Sequence, residues 1–137
     1  MSNLIIASQF NLNHEALRNV LITLVDKLWI DNNPVISLPV NKVKDVTADT
    51  IAKVCASFNL QINEYHALWQ DYSEPCAIRR NGFGRYNSLA GHNRNMVMAD
   101  DATHALIIWN GEDRDLKELI RVLKFNGKQV HAVLINV

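Results

Sequence analysis

Residues 105–109, Ala-Leu-Ile-Ile-Trp, form an unbroken apolar run of strand length. An unbroken run, unlike an alternating one, needs cover on both faces. That is the situation of a strand in a parallel sheet held between helices. Asn110-Gly111 ends the run, and from Asp113 the residues Leu116, Leu119, Ile120 and Leu123 recur at helical spacing. Before the run, the apolar stretch Met96–Ala99 closes a helix expected from Ser88 to about Asp100. A loop that leaves the carboxyl end of a covered strand and enters a helix is where open α/β sheets hold ligands.

The rest of the chain repeats this alternation. Leu4–Ala7 is a short apolar strand followed by a Ser8-Gln9-Phe10-Asn11 loop. Asn13 is placed to cap a helix whose apolar face is Leu17, Val20, Leu21, Leu24, Val25 and Leu28, ending about Trp29 before a turn at 31–34. Val35–Val40 is a second strand, and Pro39 late in it marks an edge or the strand's end. After a loop carrying Lys42 and Lys44, Thr47 is the expected cap of a helix with Ile51, Val54, Cys55 and Phe58 on its apolar face. Leu60–Tyr65 reads as a third strand. Ser73–Asn87 reads as a long loop with Pro75, Gly82 and Gly84. The fourth strand is 103–109, the fourth helix runs from Asp113 to Asn126 with Gly127 as its left-handed stop, and a fifth strand covers Val130–Ile135. The expected fold is one three-layer, Rossmann-like α/β domain over residues 1–137, with a mostly parallel sheet of about five strands.

Composition narrows the function classes. Charged residues make up 20% and balance at 14 against 14, so whole-protein charge points to no polyanion partner. Cys55 and Cys76 make no disulfide framework and fit a reducing, cytoplasmic setting, with Cys55 as a core thiol. The sequence shows no basic-then-apolar leader pattern and no apolar run of membrane length, so neither export nor a membrane span is expected, and the histidines and cysteines show no metal-ligand spacing. No cofactor is implied. His104 and His131, at or within strands, read as structural.

Charge is nevertheless unevenly placed. Between Pro75 and Ala99 there is no acidic residue, but there are Arg79, Arg80, Arg85 and Arg94, with Phe83 and Tyr86 among them. Arginine forks bind phosphate and aromatic faces stack on bases, which is the composition of a nucleotide-binding lid. A solvated loop whose arginines pair with acids elsewhere has the same composition.

In order along the chain stand Thr47-Ala48-Asp49, Ala67-Leu-Trp-Gln-Asp-Tyr72, Ala90-Gly-His-Asn-Arg-Asn-Met-Val-Met98 and Trp109-Asn-Gly111. This series resembles the SLOG superfamily, the Rossmann-like group that includes the LOG cytokinin-activating enzymes and the SMF/DprA DNA-processing proteins, and within it the YspA-like branch. Those proteins carry Gly-Ala-Asp, Ala-x-Trp-x-x-Tyr, Ala-Gly-x-x-Arg-Asn-x-x-Met and Trp-x-Gly at the corresponding places. The chain departs from the pattern at two glycine sites. The first Gly-rich turn is Lys42–Val46 here, and the Gly-Thr that opens the last helix is Asp115-Leu116. In the family those glycines let backbone N–H groups approach a phosphate at a helix N-terminus. A carboxylate there repels one: like charges about 4 Å apart cost roughly 4 kcal/mol at an effective dielectric near 20. Either Asp113 or Asp115 has a simpler use as the helix cap. The glutamate of the hydrolytic LOG-type branch falls at Leu119, and Glu118 sits about 100° around the helix from that place.

The resemblance implies that Arg94 faces a ligand and that Asn95 orients it or bonds the ligand itself. Arg79, Arg80 and Arg85 are candidate phosphate or ribose contacts, and Trp69 a stacking residue or packing under the loop. Asp49 is a ribose contact or a capping residue, Ser8 and Gln9 stand where the first strand opens, and Gly111 and Arg114 flank the last loop. The expected function is capture of a nucleotide or nucleotide-derived small molecule without catalysis, in a self-associating protein. Two alternatives stand beside it: LOG-type hydrolysis of the N-glycosidic bond of a nucleoside monophosphate, and single-stranded nucleic-acid binding through the arginine–aromatic loop.

Overall fold

In the computed structural model, residues 2–28, 33–42, 44–73 and 75–135 are described. The side chains of Val25 and Leu28, the helix end at Trp29 and the turn residues Asp31 and Asn32 lie outside the described set. The elements run β1 (Asn3–Ser8), α1 (His14–Leu28), β2 (Val35–Val40), α2 (Val46–Ser57), β3 (Ile62–His66), β4 (Ile78–Asn81), β5 (Gly84–Asn87), α3 (Ala90–Asp101), β6 (His104–Trp109), α4 (Arg114–Phe125) and β7 (Gln129–Leu134). Five strands form a sheet in the order β3-β2-β1-β6-β7, and every pairing in it is parallel. The fold is therefore the Rossmann-like α/β class expected from the alternation.

The three layers follow from the side-chain period of two along β1. Leu4 and Ile6 point to one face, where they pack with Leu17, Leu21 and Leu24 of α1 and Ile51, Val54 and Cys55 of α2. Ile5 and Ala7 point to the other face, against Met98 and Ala99 of α3 and Leu116, Leu119 and Leu123 of α4. Each such fully buried Leu or Ile contributes about 1.5–3 kcal/mol relative to exposure. Leu106 and Ile108 of β6 join the first cluster and Ala105 and Ile107 the second, which is why that run is apolar without interruption. Burial pushes the Cys55 thiol up to about 11, so it is an inert core group.

Local signals decide where helices begin. Asn13 Oδ1 accepts from the Ala16 N–H at 2.8 Å and caps α1 as expected. Gly127, at φ +73°, provides the expected stop after α4. The cap of α2 differs from expectation: it is Asp45, not Thr47. Asp45 sits in extended backbone and accepts from Ala48 N at 3.1 Å, while its other oxygen accepts from Asn41 N at 3.1 Å. An aspartate that closes the preceding loop as well as the helix outcompetes a threonine two residues on.

Pro39 lies in an interior strand, second from its carboxyl end. β1 pairs with β2 only as far as Ile5 and Ser37, yet pairs with β6 as far as Ser8 and Ile108. The sheet therefore opens between β1 and β2 beyond Ser37, where a proline forfeits no hydrogen bond to β1. That split creates the upper end of the crevice described below.

The segment read as a long loop, 73–87, instead contains an antiparallel hairpin, β4–β5, with Arg79 opposite Tyr86 and Arg80 opposite Arg85. Gly82 and Phe83 form its turn, Phe83 N bonds Asn81 Oδ1 at 2.8 Å, and Gly84 at φ +119° takes a conformation that suits glycine. Both faces of β4 are exposed, so no alternation of burial marked it in the sequence. Among the described residues no helix is long and apolar enough to cross a membrane.

Candidate functional site

A crevice of about 380 Å³ opens at the carboxyl edge of the sheet. Its floor is the end of β1, Ile6 to Gln9, with Pro39 and Asn41 at the end of β2. Its walls are the first turns of α2 and α4, with Trp69, Gly91 and Arg94 between them. α1 and α2 cover one face of the sheet and α3 and α4 the other, so the crevice lies at the topological switch point where such sheets bind ligands. Its volume is near the lower end of the range for small-molecule sites, about 300–1,000 Å³.

Arg94 is the residue on which the walls converge. Its side chain is 2% exposed. Nε donates to Asn95 Oδ1 at 2.8 Å, and Nη1 donates to Asn41 Oδ1 at 3.0 Å and Val40 O at 3.3 Å. Nη2 lies 3.5 Å from Asp115 Oδ2. Asn95, fully buried, turns its amide N–H to Asp115 Oδ1 at 2.9 Å. One guanidinium thus ties the end of β2 to α3 and α4. Burial pulls the Arg94 pKa below the ordinary guanidinium value, against the opposing pull of Asp115 and Asp45. Burial likewise raises the Asp115 carboxyl above its ordinary value, and the Arg94 charge and the Asn95 hydrogen bond act the other way. Asp113 and Glu118 add to the rise.

The candidates from the sequence divide clearly. Ser8, Gln9, Trp69 and Arg94 line the crevice, and Asn95 stands directly behind Arg94 and orients it. Ser8 Oγ is folded back on its own turn, donating to Phe10 O at 2.5 Å and accepting from Phe10 N. Gln9 Oε1 accepts from Asn110 N at 3.0 Å and fixes the β6–α4 loop. Trp69 donates from Nε1 to Asn41 O at 2.8 Å and stands edge-on to Tyr86, 6.3 Å between ring centroids.

The other candidates lie elsewhere. Asp49 is exposed in the first turn of α2 and Arg114 is exposed at the start of α4; neither lines the crevice. Arg79, Arg80 and Arg85 project from the hairpin into solvent and also do not line it; Arg85 lies over the Tyr72 ring at 5.8 Å. Gly111 is required by its backbone, φ +91°, and by Leu134, whose Cδ2 would be 3.2 Å from an added Cβ.

Four lining residues, Asn41, Asp45, Asp113 and Asp115, carry no expectation as site groups. Asp45 and Asp113 cap α2 and α4 and line the crevice; Asp113 Oδ1 accepts from Leu116 N at 3.0 Å. Asp115 does not cap; it turns to Arg94 and Asn95. The signal for Asp45 was the same as for Thr47, a capping residue type before an apolar-periodic run. Asn41 carries no such signal. Leu119 is buried in the core, and Glu118 lies 2.8 Å from His92 Nδ1. Trp109 Nε1 is buried without a hydrogen-bond partner among the described residues. No group of three or more His, Cys, Asp or Glu side chains among the described residues is placed to hold a metal ion.

Fold and site together define a Rossmann-like α/β domain with a crevice of mixed polar and apolar lining at its carboxyl edge. No model of a known protein family matches the chain, and no curated protein sequence does.

Proposed function

We propose that the chain is a SLOG-like binding module that holds a nucleotide or nucleotide-derived small molecule without processing it, in a cytoplasmic sensing or sequestering role. The observation that carries this reading is the crevice itself: a switch-point cavity with an aromatic wall at Trp69 and amide and carboxylate groups along its floor and rim. An aromatic face suits a base and a ring of fixed acceptors suits a sugar. The core position of Leu119 and the engagement of Glu118 with His92 support binding over LOG-type hydrolysis.

The test is mass spectrometry of small molecules released on denaturation, with thermal shift against nucleosides, mono-, di- and cyclic nucleotides, and oligonucleotides of increasing length. The expected outcome is an intact nucleoside-bearing compound and stabilisation by a mononucleoside-sized ligand. Free base and sugar in its place would move the assignment to hydrolysis. The alternative of single-stranded nucleic-acid binding is favoured by one observation: Phe83 stands fully exposed between Arg80 and Arg85 at the hairpin tip. It predicts affinity that grows with oligonucleotide length and falls steeply with salt. A flat length dependence counts against it.

We also propose that the protein self-associates. β3 is an edge strand, and beside it Leu68, Met96 and Val97 expose 59%, 45% and 58% of their surface along one groove. Apolar side chains gathered beside an open edge are the usual mark of an interface. Sedimentation at micromolar concentration reads it: a dimer is expected, reduced to monomer in Val97→Glu, and a wild-type monomer overturns it.

A further inference from the structure

The two helix N-termini at the crevice are the seats a phosphate would take, because each presents free N–H groups and roughly half a positive charge. Both are already held by the protein's own carboxylates. Asp45 accepts from Ala48 N in α2, and Asp113 accepts from Leu116 N in α4. Asp115, whose side chain is 46% exposed, adds a third carboxylate to the lining. The cation among the described lining residues is Arg94, and its charge faces Asp115 while its other N–H groups go to Asn95, Asn41 and Val40. The exposed arginines of the hairpin and the exposed Lys42 and Lys44 do not line the crevice. The balance of fixed charge is therefore acidic. Neutral hydroxyl donors gain from such a lining, because a carboxylate already bonded on one side keeps free lone pairs for an O–H group.

We infer that the crevice takes a phosphate-free nucleoside and discriminates against its 5′-phosphorylated form, with Asp113 and Asp115 accepting from sugar hydroxyls and Trp69 against the base. This rests on the binding-module reading above and names the ligand class within it. Gly91 supports the placement. A Cβ there would be in ordinary contact with Asp115 Oδ1 at 3.6 Å and the Trp69 ring at 3.7 Å, so these two groups border one space beside Gly91.

Isothermal titration calorimetry of the full chain with adenosine, guanosine, cytidine, uridine and their 5′-monophosphates tests it. At least one nucleoside is expected to bind, with its monophosphate at least about tenfold weaker. The gap should narrow as salt rises, and it should narrow in Asp115→Asn. Asp113→Ser is the second variant. Serine still caps a helix, so the fold is kept while one charge leaves the crevice, and the gap should again narrow. A monophosphate that binds as tightly as its nucleoside overturns this inference and leaves the binding-module reading standing. A gap unchanged in both variants overturns the assignment to these carboxylates. No heat with any of the eight compounds overturns this inference, and no stabilisation by the di- and cyclic nucleotides as well overturns the binding-module reading.

Discussion

Arg94→Met is expected to cost about 3 kcal/mol of folding free energy and to lower Tm by about 10 °C. Methionine nearly fills the space, so the cost is not a cavity. It comes from the groups left behind. Val40 O, Asn41 Oδ1 and Asn95 Oδ1 each lose a charged donor, and Asp115 loses its counter-charge. Removing one partner of a fully buried pair costs about 3–5 kcal/mol. Asp115 remains half exposed, so water relieves part of that, which sets the expectation at the low end. The double variant Arg94→Met/Asp115→Asn should recover part of the loss, since the orphaned charge is then gone. Chemical denaturation measures all three proteins. A loss below about 1 kcal/mol in the single variant would mean that Arg94 is a free ligand contact and not a strut.

This outcome bears on how much of the site the sequence disclosed. The motif Ala90-Gly-His-Asn-Arg-Asn95 singles out Arg94 and Asn95, and both are buried beside the crevice, where the protein's own groups engage them. The direction in which Arg94 points was not legible. Besides the adjacent Asn95, its partners come from residues 53, 54 and 21 positions away, and spacing along one helix carries no information about them. From the sequence alone Asp115 is an obstacle to phosphate or a helix cap. Asp113 already holds the capping position, which leaves Asp115 free to face the arginine. A charge that departs from the expected glycine pattern and a buried arginine thus explain each other, and only the fold brings them together.

The fold was more legible than the site because its strongest signals are local. β1, β6 and α4 fall within about a residue of expectation, since each buries a fixed set of apolar side chains. The hairpin was missed for the opposite reason. β4 is four residues long with both faces wet, and what holds the segment is polar. The side chain of Asn87 lies 1% exposed beneath it, accepting from Ala77 N at 3.1 Å and Leu89 N at 3.0 Å and donating to Asp71 O at 2.9 Å and Pro75 O at 3.1 Å. No hydropathy pattern announces a single asparagine that satisfies four backbone groups.

Asn87→Ala is accordingly expected to detach the hairpin while the sheet survives. Each buried backbone group left unpaired costs about 1–3 kcal/mol, but most of this segment borders solvent, so water replaces several of the four bonds. A local cost of about 2 kcal/mol raises the open population about 30-fold. Trypsin reads it, because Arg79, Arg80 and Arg85 lie in the segment and become cleavable only when it opens. Cleavage there should accelerate about 30-fold, while global Tm falls by only a few degrees. An unchanged rate would show that the hairpin is held by other contacts. The effect should also reach the crevice. Asn87 N donates to Trp69 O at 2.7 Å, and Tyr86 stands against the Trp69 ring, so the Trp69 wall of the crevice is fastened to the hairpin. Loss of nucleoside affinity in Asn87→Ala, with Arg94 and all three crevice aspartates intact, would make the hairpin a positioning element of the site.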